Sequence, residues 1–200
     1  MSATQSIMLA LGTHAPAFTL PDVETGTLRS LEDFAGSRAL LVVFLCAHCP
    51  YVLHVVPALA QIARDYANDS LAIVGITSND TAQYPQDAPS PTARFAAKHG
   101  LCFPILFDET QRVAQAYSAA CTPDFYLFNE QRGLAYRGQI DESRPMRGPD
   151  RPGNGVSDGA DLRAAIDALL AGRPAPEPQR ASIGCNIKWK AGNEPSGEWH

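Results

Sequence analysis

An unbroken apolar run, Leu40-Leu41-Val42-Val43-Phe44-Leu45, leads directly into Cys46-Ala47-His48-Cys49, after which apolar residues recur at helical spacing. No other stretch constrains the fold as much. A short continuous apolar run is the pattern of a strand buried on both faces. Val52, Val55, Val56, Leu59, Ile62, Ala63 and Tyr66 then line one side of a long amphipathic helix, with Pro57 inside it and a bend expected there. The two thiols thus sit at a strand-to-helix junction, where unpaired backbone N–H groups and the helix dipole favour a thiolate. At Cys-x-x-Cys spacing they can close a small disulfide ring. A thiol–disulfide redox site is the leading reading, with Cys46 as exposed nucleophile and Cys49, one turn inside the helix, as resolving thiol.

Composition narrows the alternatives. Hydrophobic residues make up 45% of the 200-residue chain, enough for one globular domain with a substantial core. A net charge of −5 offers no basic stripe for phosphates and argues against nucleic acid as a partner. No apolar stretch is long enough to span a membrane. Met1 to Ala10 lacks the basic segment of a secretory signal. Five scattered cysteines (Cys46, Cys49, Cys102, Cys121, Cys185) fit a cytoplasmic protein with catalytic thiols better than a secreted disulfide scaffold. A structural zinc site would need a second Cys/His pair at short spacing, and the sequence has none. Neither a metal nor an organic cofactor is expected.

Along the chain, Leu71 to Thr77 reads as a second buried strand and Asn79 to Pro91 as a long polar loop. Short helices are expected at about 91–99 and 109–118, separated by a strand-like stretch at 102–107. Asp124 to Phe128 and Leu134 to Ile140 form a β-hairpin pattern. Leu162, Ala165, Ile166, Leu169 and Leu170 mark a last helix, with Ser157 or Asp158 as N-cap and Gly172 as stop. The order is that of an α/β protein with a mixed sheet and helices on both faces. Asp141 to Gly155, rich in Arg, Pro and Gly, is expected to be a mobile loop, with Asp141 and Arg144 as an ion pair. Residues 1–172 are taken as the domain and 173–200 as a Pro-rich linker and tail. In that tail Ile183, Cys185, Ile187 and Trp189 alternate with Gly184, Asn186, Lys188 and Lys190, the pattern of an extended segment pinned on the domain.

These residues resemble the thioredoxin superfamily, and within it the peroxiredoxin-like AhpC/TSA branch. The likeness rests on Ala15-Pro16-Ala17-Phe18-Thr19-Leu20-Pro21 with Leu31-Glu32-Asp33-Phe34-Ala35-Gly36, on the strand–CxxC–helix, on Phe103-Pro104-Ile105-Leu106-Phe107-Asp108, and on Thr122-Pro123-Asp124-Phe125. It spans about residues 11–172. It implies a thioredoxin-like fold, with a mixed central sheet flanked by helices, an N-terminal extension and a C-terminal extended tail. It also implies a cis peptide bond before Pro123, with the Thr122 backbone beside the thiols as an edge to which an extended substrate can pair. Peroxiredoxins carry Pro-x-x-x-Thr-x-x-Cys around the peroxidatic thiol. Setting that thiol on Cys49, which Pro50 follows, puts Val42 and Cys46 at the Pro and Thr positions. Cys121-Thr122-Pro123 stands where the activating Arg belongs. The missing hydroxyl and guanidinium argue for dithiol over peroxide chemistry.

The expectation is therefore a thiol–disulfide oxidoreductase using Cys46 and Cys49, with a protein or small-molecule disulfide as substrate and a dithiol as reductant. One alternative is a thiol peroxidase using Cys49. Another is a Cu(I)-handling protein of thioredoxin fold, since soft thiolates select Cu(I); no histidine stands out as its third ligand. His48 occupies the position it has in the oxidising Cys-Pro-His-Cys motif, where a positive charge stabilises the reduced form; the other reading is a solvated histidine. Cys121 and Cys185 are possible additional redox thiols, although free cysteine is usually a small buried hydrophobe. Cys102 reads as a packing residue, and His54 and His99 as solvated surface residues.

Overall fold

The computed structural model describes residues 3–67, 70–148, 150 and 152–194. Their elements, in chain order, are β1 (Ala3–Gln5), β2 (Thr19–Pro21), β3 (Leu28–Ser30), β4 (Ala39–Phe44), α1 (Pro50–Asp65), β5 (Leu71–Thr77), α2 (Pro89–His99), β6 (Ile105–Phe107), α3 (Arg112–Ala116), β7 (Cys121–Thr122), β8 (Asp124–Phe128), β9 (Leu134–Gly138), α4 (Ala160–Leu170) and β10 (Ile183–Asn186). The main sheet runs β6-β5-β4-β8-β9. Strands β4, β5 and β6 are parallel, whereas β8 and β9 are antiparallel additions on the other side of β4.

Strand β4 is central, and every residue in it is 0% exposed. Side chains alternate across a strand, so its apolar run feeds two cores. Leu41 and Val43 pack with Val52, Val56, Leu59 and Ile62 of α1 and with Leu162 and Ile166 of α4. Leu40, Val42 and Phe44 pack on the opposite face with Val113 and Ala114 of α3, Tyr117, Tyr126 and Phe128. The fold is thioredoxin-like: a mixed central sheet between helices.

The tail forms a second, smaller sheet. β10 pairs antiparallel with β1 on one side and with β7 on the other, in the order β1-β10-β7. The alternation seen in the sequence thus becomes a strand over Ile183–Asn186, and Ile187 beyond it is buried. Residues 195–200 of the expected tail lie outside the described residues.

Three local expectations are corrected. The last helix starts from Gly159, not from Ser157 or Asp158, because the Asp141 carboxylate accepts the N–H groups of Asp158 (2.9 Å) and Gly159 (2.8 Å) and the Ser157 hydroxyl. Arg144 donates to the backbone carbonyl of Asp141 (2.9 Å), so the expected ion pair with the Asp141 carboxylate is not made. The polar stretch after β5 is not all loop: a 3-10 turn over Pro85–Asp87 and the start of α2 at Pro89 occupy its second half.

Candidate redox site

The junction after β4 differs from the sequence expectation in one consequential way. Helix α1 begins at Pro50, with Cys49 as its N-cap in extended conformation. Proline favours the first helical position, since its fixed φ suits a helix start and its missing N–H has no helical partner to lose. Cys46 therefore lies in the loop before the helix, and Cys49 is at its mouth. Neither thiol is exposed: Cys46 is 1% and Cys49 0% accessible. The expectation of an exposed Cys46 at the helix start is corrected on both counts. Pro50 was the signal that could have placed the start.

The segment Cys121-Thr122-Pro123 packs on both sulfurs. The Thr122–Pro123 peptide bond is cis. Cys46 Sγ is 3.3 Å from Thr122 Oγ1, and Cys49 Sγ is 3.2 Å from the Thr122 carbonyl oxygen. Thr122 and Pro123 thus stand where the resemblance places them. The Thr122 edge, however, is not open. β10 already pairs along it, with Cys185 opposite Thr122.

The surroundings of Cys49 favour its charged form and those of Cys46 and Cys185 the neutral thiol. The neighbouring Cys185 thiol, then the Cys46 thiol, outweigh burial and lower the Cys49 pKa from the usual thiol value. The backbone N–H groups of Val52, in the first turn of α1, and of Cys185 act in the same direction. The same contacts work in reverse on the donors. Hydrogen bonding to Cys49, then burial, then the Asp87 charge push the Cys46 thiol well up. Cys185 is raised by its bond to Cys49 and by burial, while Lys188 and Arg147 oppose the rise. Cys121 is 0% exposed, its thiol directed to the Pro123 carbonyl (3.6 Å), and burial pushes it well up.

His48 is not simply solvated. Its ring stacks on Tyr84 at 5.5 Å, and Nδ1 lies 2.7 Å from Oδ2 of Asp87. It is a close approach in which neither ring nitrogen makes a directed hydrogen bond. Asp87 is 0% exposed; its carboxylate also accepts the Ala47 N–H (2.9 Å) and the Asn79 amide (2.8 Å). It thereby ties the loop after β5 to the Cys-x-x-Cys loop. Sequence reasoning missed Asp87, and nothing in the local pattern of a polar loop marks it. Cys46, His48 and Asp87 offer a sulfur, a nitrogen and an oxygen within 4.8 Å of one another, the sole such group found among the described residues. The group takes in one thiol of the pair, with His48 from the same loop and Asp87 from the segment after β5.

The remaining candidates fall as follows. Cys185 is 2% exposed and pairs with Thr122 across β10 and β7; Cys102 is exposed and not a packing residue. His54 is half-buried and shares a hydrogen bond with Ser143 (2.8 Å), and His99 rests against Phe95 with ring centroids 4.7 Å apart. Arg147, from the loop after β9, donates to the Tyr51 hydroxyl (2.9 Å) and lies over its ring. Among the described residues no helix is long and apolar enough to cross a membrane.

The chain is similar to known proteins. Residues 11–137 match the model of the AhpC/TSA family. A Mycobacterium tuberculosis protein named as a candidate peroxiredoxin is 32% identical over 116 residues, covering 58% of this chain and 68% of its own. The thiol-disulfide oxidoreductase ResA of Halalkalibacterium halodurans is 27% identical over 119 residues, covering 60% of this chain and 62% of its own. A crystal structure of an uncharacterized conserved protein from Geobacillus kaustophilus superimposes with a TM-score of 0.89 at 48% identity, covering 96% of this chain and 98% of that one. The family match takes in the sheet centre, the Cys-x-x-Cys junction and the loop at Pro123, and on that basis the chain belongs to the AhpC/TSA family of thioredoxin-like redoxins.

Proposed function

We propose that the protein is a thiol–disulfide oxidoreductase in which Cys46 and Cys49 form the redox pair. The observation that carries this reading is the placement of both sulfurs against Thr122, at 3.3 and 3.2 Å, in the mouth of α1. Cys49 is the attacking thiolate, because donors from Cys185 and Cys46 favour its charged form. It attacks one sulfur of a substrate disulfide and expels the other as a thiol. Cys46 then attacks the Cys49 sulfur, releases the second substrate thiol and leaves the Cys46–Cys49 disulfide, which a dithiol reductant reopens. This reading exchanges the roles expected from sequence order.

Equilibration in glutathione buffers tests this. Closure of the Cys46–Cys49 bond within one peptide is expected as a two-electron transition in the wild type and not in Cys46→Ser, with Cys49 alkylated before Cys46 in the reduced protein. A Cys46–Cys49 pair that never oxidises in these buffers removes the proposal.

One observation favours a second reading, thiol peroxidase chemistry at Cys49. Cys49 caps the helix with Pro50 behind it and carries the stabilised thiolate. Oxidation of the reduced protein by hydrogen peroxide much faster than by oxidised glutathione would give the site to that reading.

A further inference from the structure

We propose that Cys185 is a third redox thiol, which forms a disulfide with Cys49 that exchanges with the Cys46–Cys49 bond. The inference rests on the reading of Cys49 as the reactive sulfur and adds a second partner to it.

The geometry converges on Thr122. Cys49 Sγ reaches the Thr122 carbonyl at 3.2 Å, and Cys185 is the residue of β10 that pairs with Thr122. The two cysteines therefore meet across one residue, and both are buried in the same core cluster. Cys46 approaches Cys49 as well, but through the Cys-x-x-Cys loop. Cys49 is thus served by one thiol from its own loop and one from the tail.

The tail is held firmly in this position. Next to Cys185, a Cβ on Gly184 would lie 2.1 Å from the Thr122 carbonyl oxygen, so the two backbones are in direct contact. Ser6 N–H donates to the Ser182 carbonyl (2.9 Å), and Ile187 N–H to that of Ala120 (3.1 Å). Beyond the strand, Lys188 is bound through its N–H to Asn79 (2.8 Å) and through its carbonyl to Asp80 (2.8 Å) and Gln111 (2.9 Å). A thiol fixed beside a reactive sulfur attacks it as a first-order process, without a second molecule having to arrive.

The chemistry balances with an external disulfide as oxidant. The Cys49 thiolate attacks one sulfur of oxidised glutathione, and one glutathione thiolate leaves. The Cys185 sulfur then attacks Cys49 Sγ, its proton passing to the departing second glutathione, and the Cys49–Cys185 bond forms. Two electrons leave the protein and two glutathiones are released. The charge on Cys49, which helps hold the proton on Cys185, vanishes once Cys49 is in a disulfide; burial still favours the Cys185 thiol, and Lys188 and Arg147 oppose it. Attack of Cys46 on Cys49 Sγ next returns Cys185 to the thiol and closes Cys46–Cys49.

Tryptic peptides resolve these bonds. Cys46 and Cys49 share the peptide 39–64, Cys185 lies in 181–188, Cys121 in 113–132 and Cys102 in 99–112. The reduced full-length wild type, Cys46→Ser and Cys46→Ala are each treated with oxidised glutathione, quenched with N-ethylmaleimide, digested without reduction and mapped by mass spectrometry. Cross-linked 39–64 with 181–188 is expected as the main product of both variants, and as an early species in the wild type that gives way to the bond within 39–64. Cys49–glutathione adducts with alkylated Cys185 in both variants would overturn the proposal. In that outcome a wild type that still closes Cys46–Cys49 keeps the dithiol reading intact. A wild type in which 39–64 cross-links to 181–188 and never closes internally overturns the exchange step and the Cys46–Cys49 pair together. No reaction at Cys49 in any form removes both readings.

Discussion

At the scale of the residue, the most consequential neighbour of the dithiol is Asp87. A carboxylate that is 0% exposed is held in place by three contacts: the Ala47 N–H, the Asn79 amide and the His48 ring. Its charge opposes ionisation of Cys46, after the larger effects of the Cys49 bond and burial. Asp87→Asn keeps the shape and removes the charge. In a Cys49→Ser background, where Cys46 alkylation is read alone, the Asp87→Asn change is expected to lower the pH at which Cys46 reacts. Each unit of that fall corresponds to about tenfold more thiolate below the midpoint. An unchanged pH profile would mean that the Asp87 charge does not act on Cys46. The same carboxylate bears on His48. A positive imidazole ring beside the thiols would favour the reduced form, but Asp87 at 2.7 Å offsets most of that field. His48→Ala is therefore expected to make the pair more reducing by less than about 30 mV, the equivalent of tenfold for a two-electron couple. A larger shift in glutathione equilibration would show that His48 acts on the sulfurs with its charge uncompensated.

At the scale of the element, local periodicity made most of the fold legible, and non-local pairing escaped it. The runs that became β4 and β5, the stripe of α1 and the β8–β9 hairpin each declare themselves within a few residues, because alternation and helical spacing are local properties. The alternation of Ile183 to Trp189 likewise announced a strand, but not its partners. β7 has two residues, and it lies about sixty positions from β10 in the chain. No spacing rule reports a pairing of that kind, so the edge expected to receive substrate was not seen to be filled. The start of α1 is the opposite case, since Pro50 marked it and the Cys-x-x-Cys pattern drew attention to Cys46 instead. Gly184 is what lets β10 lie against Thr122. A methyl group there, 2.1 Å from the carbonyl oxygen, has no room unless the backbones part. Gly184→Ala is expected to loosen β10 and to raise the alkylation rate of Cys185, now 2% exposed, by more than an order of magnitude, while the main-sheet core stays folded by circular dichroism. Cys185 reacting as slowly as in the wild type would mean that the strand accommodates the methyl group without moving.

At the scale of the whole molecule, the fold gathers its first and last strands onto one face of the redox site. β1 and β10 come from opposite termini, and β7 joins their sheet just before the chain enters the main sheet at β8. The fold class was legible in the order of elements, whereas this closure was not, because it depends on which distant segments meet. At the entry to β8 stands Asp124, paired in register with Phe44 of the central strand and 0% exposed. The Tyr126 hydroxyl donates to its Oδ2 at 2.9 Å, but its Oδ1 has no partner. Burial consequently pushes this carboxyl from 3.8 up to about 7. The raised value sets the sign of a pH effect. Below 3.8 the group is protonated in both the folded and the unfolded chain, and its full contribution is present. Between there and about 7 the unfolded chain has released the proton and the folded chain retains it, so stability falls as pH rises and levels off above the folded value. Asp124→Asn has no proton to lose. Its stability relative to the wild type should therefore improve on going from pH 5 to pH 8, by on the order of 3 kcal/mol for this one group. Urea denaturation of both proteins at the two pH values measures the difference, with every other titrating group common to both. Parallel behaviour of the two proteins would mean that Asp124 is ionised in the fold throughout, its charge stabilised by contacts other than the Tyr126 hydroxyl.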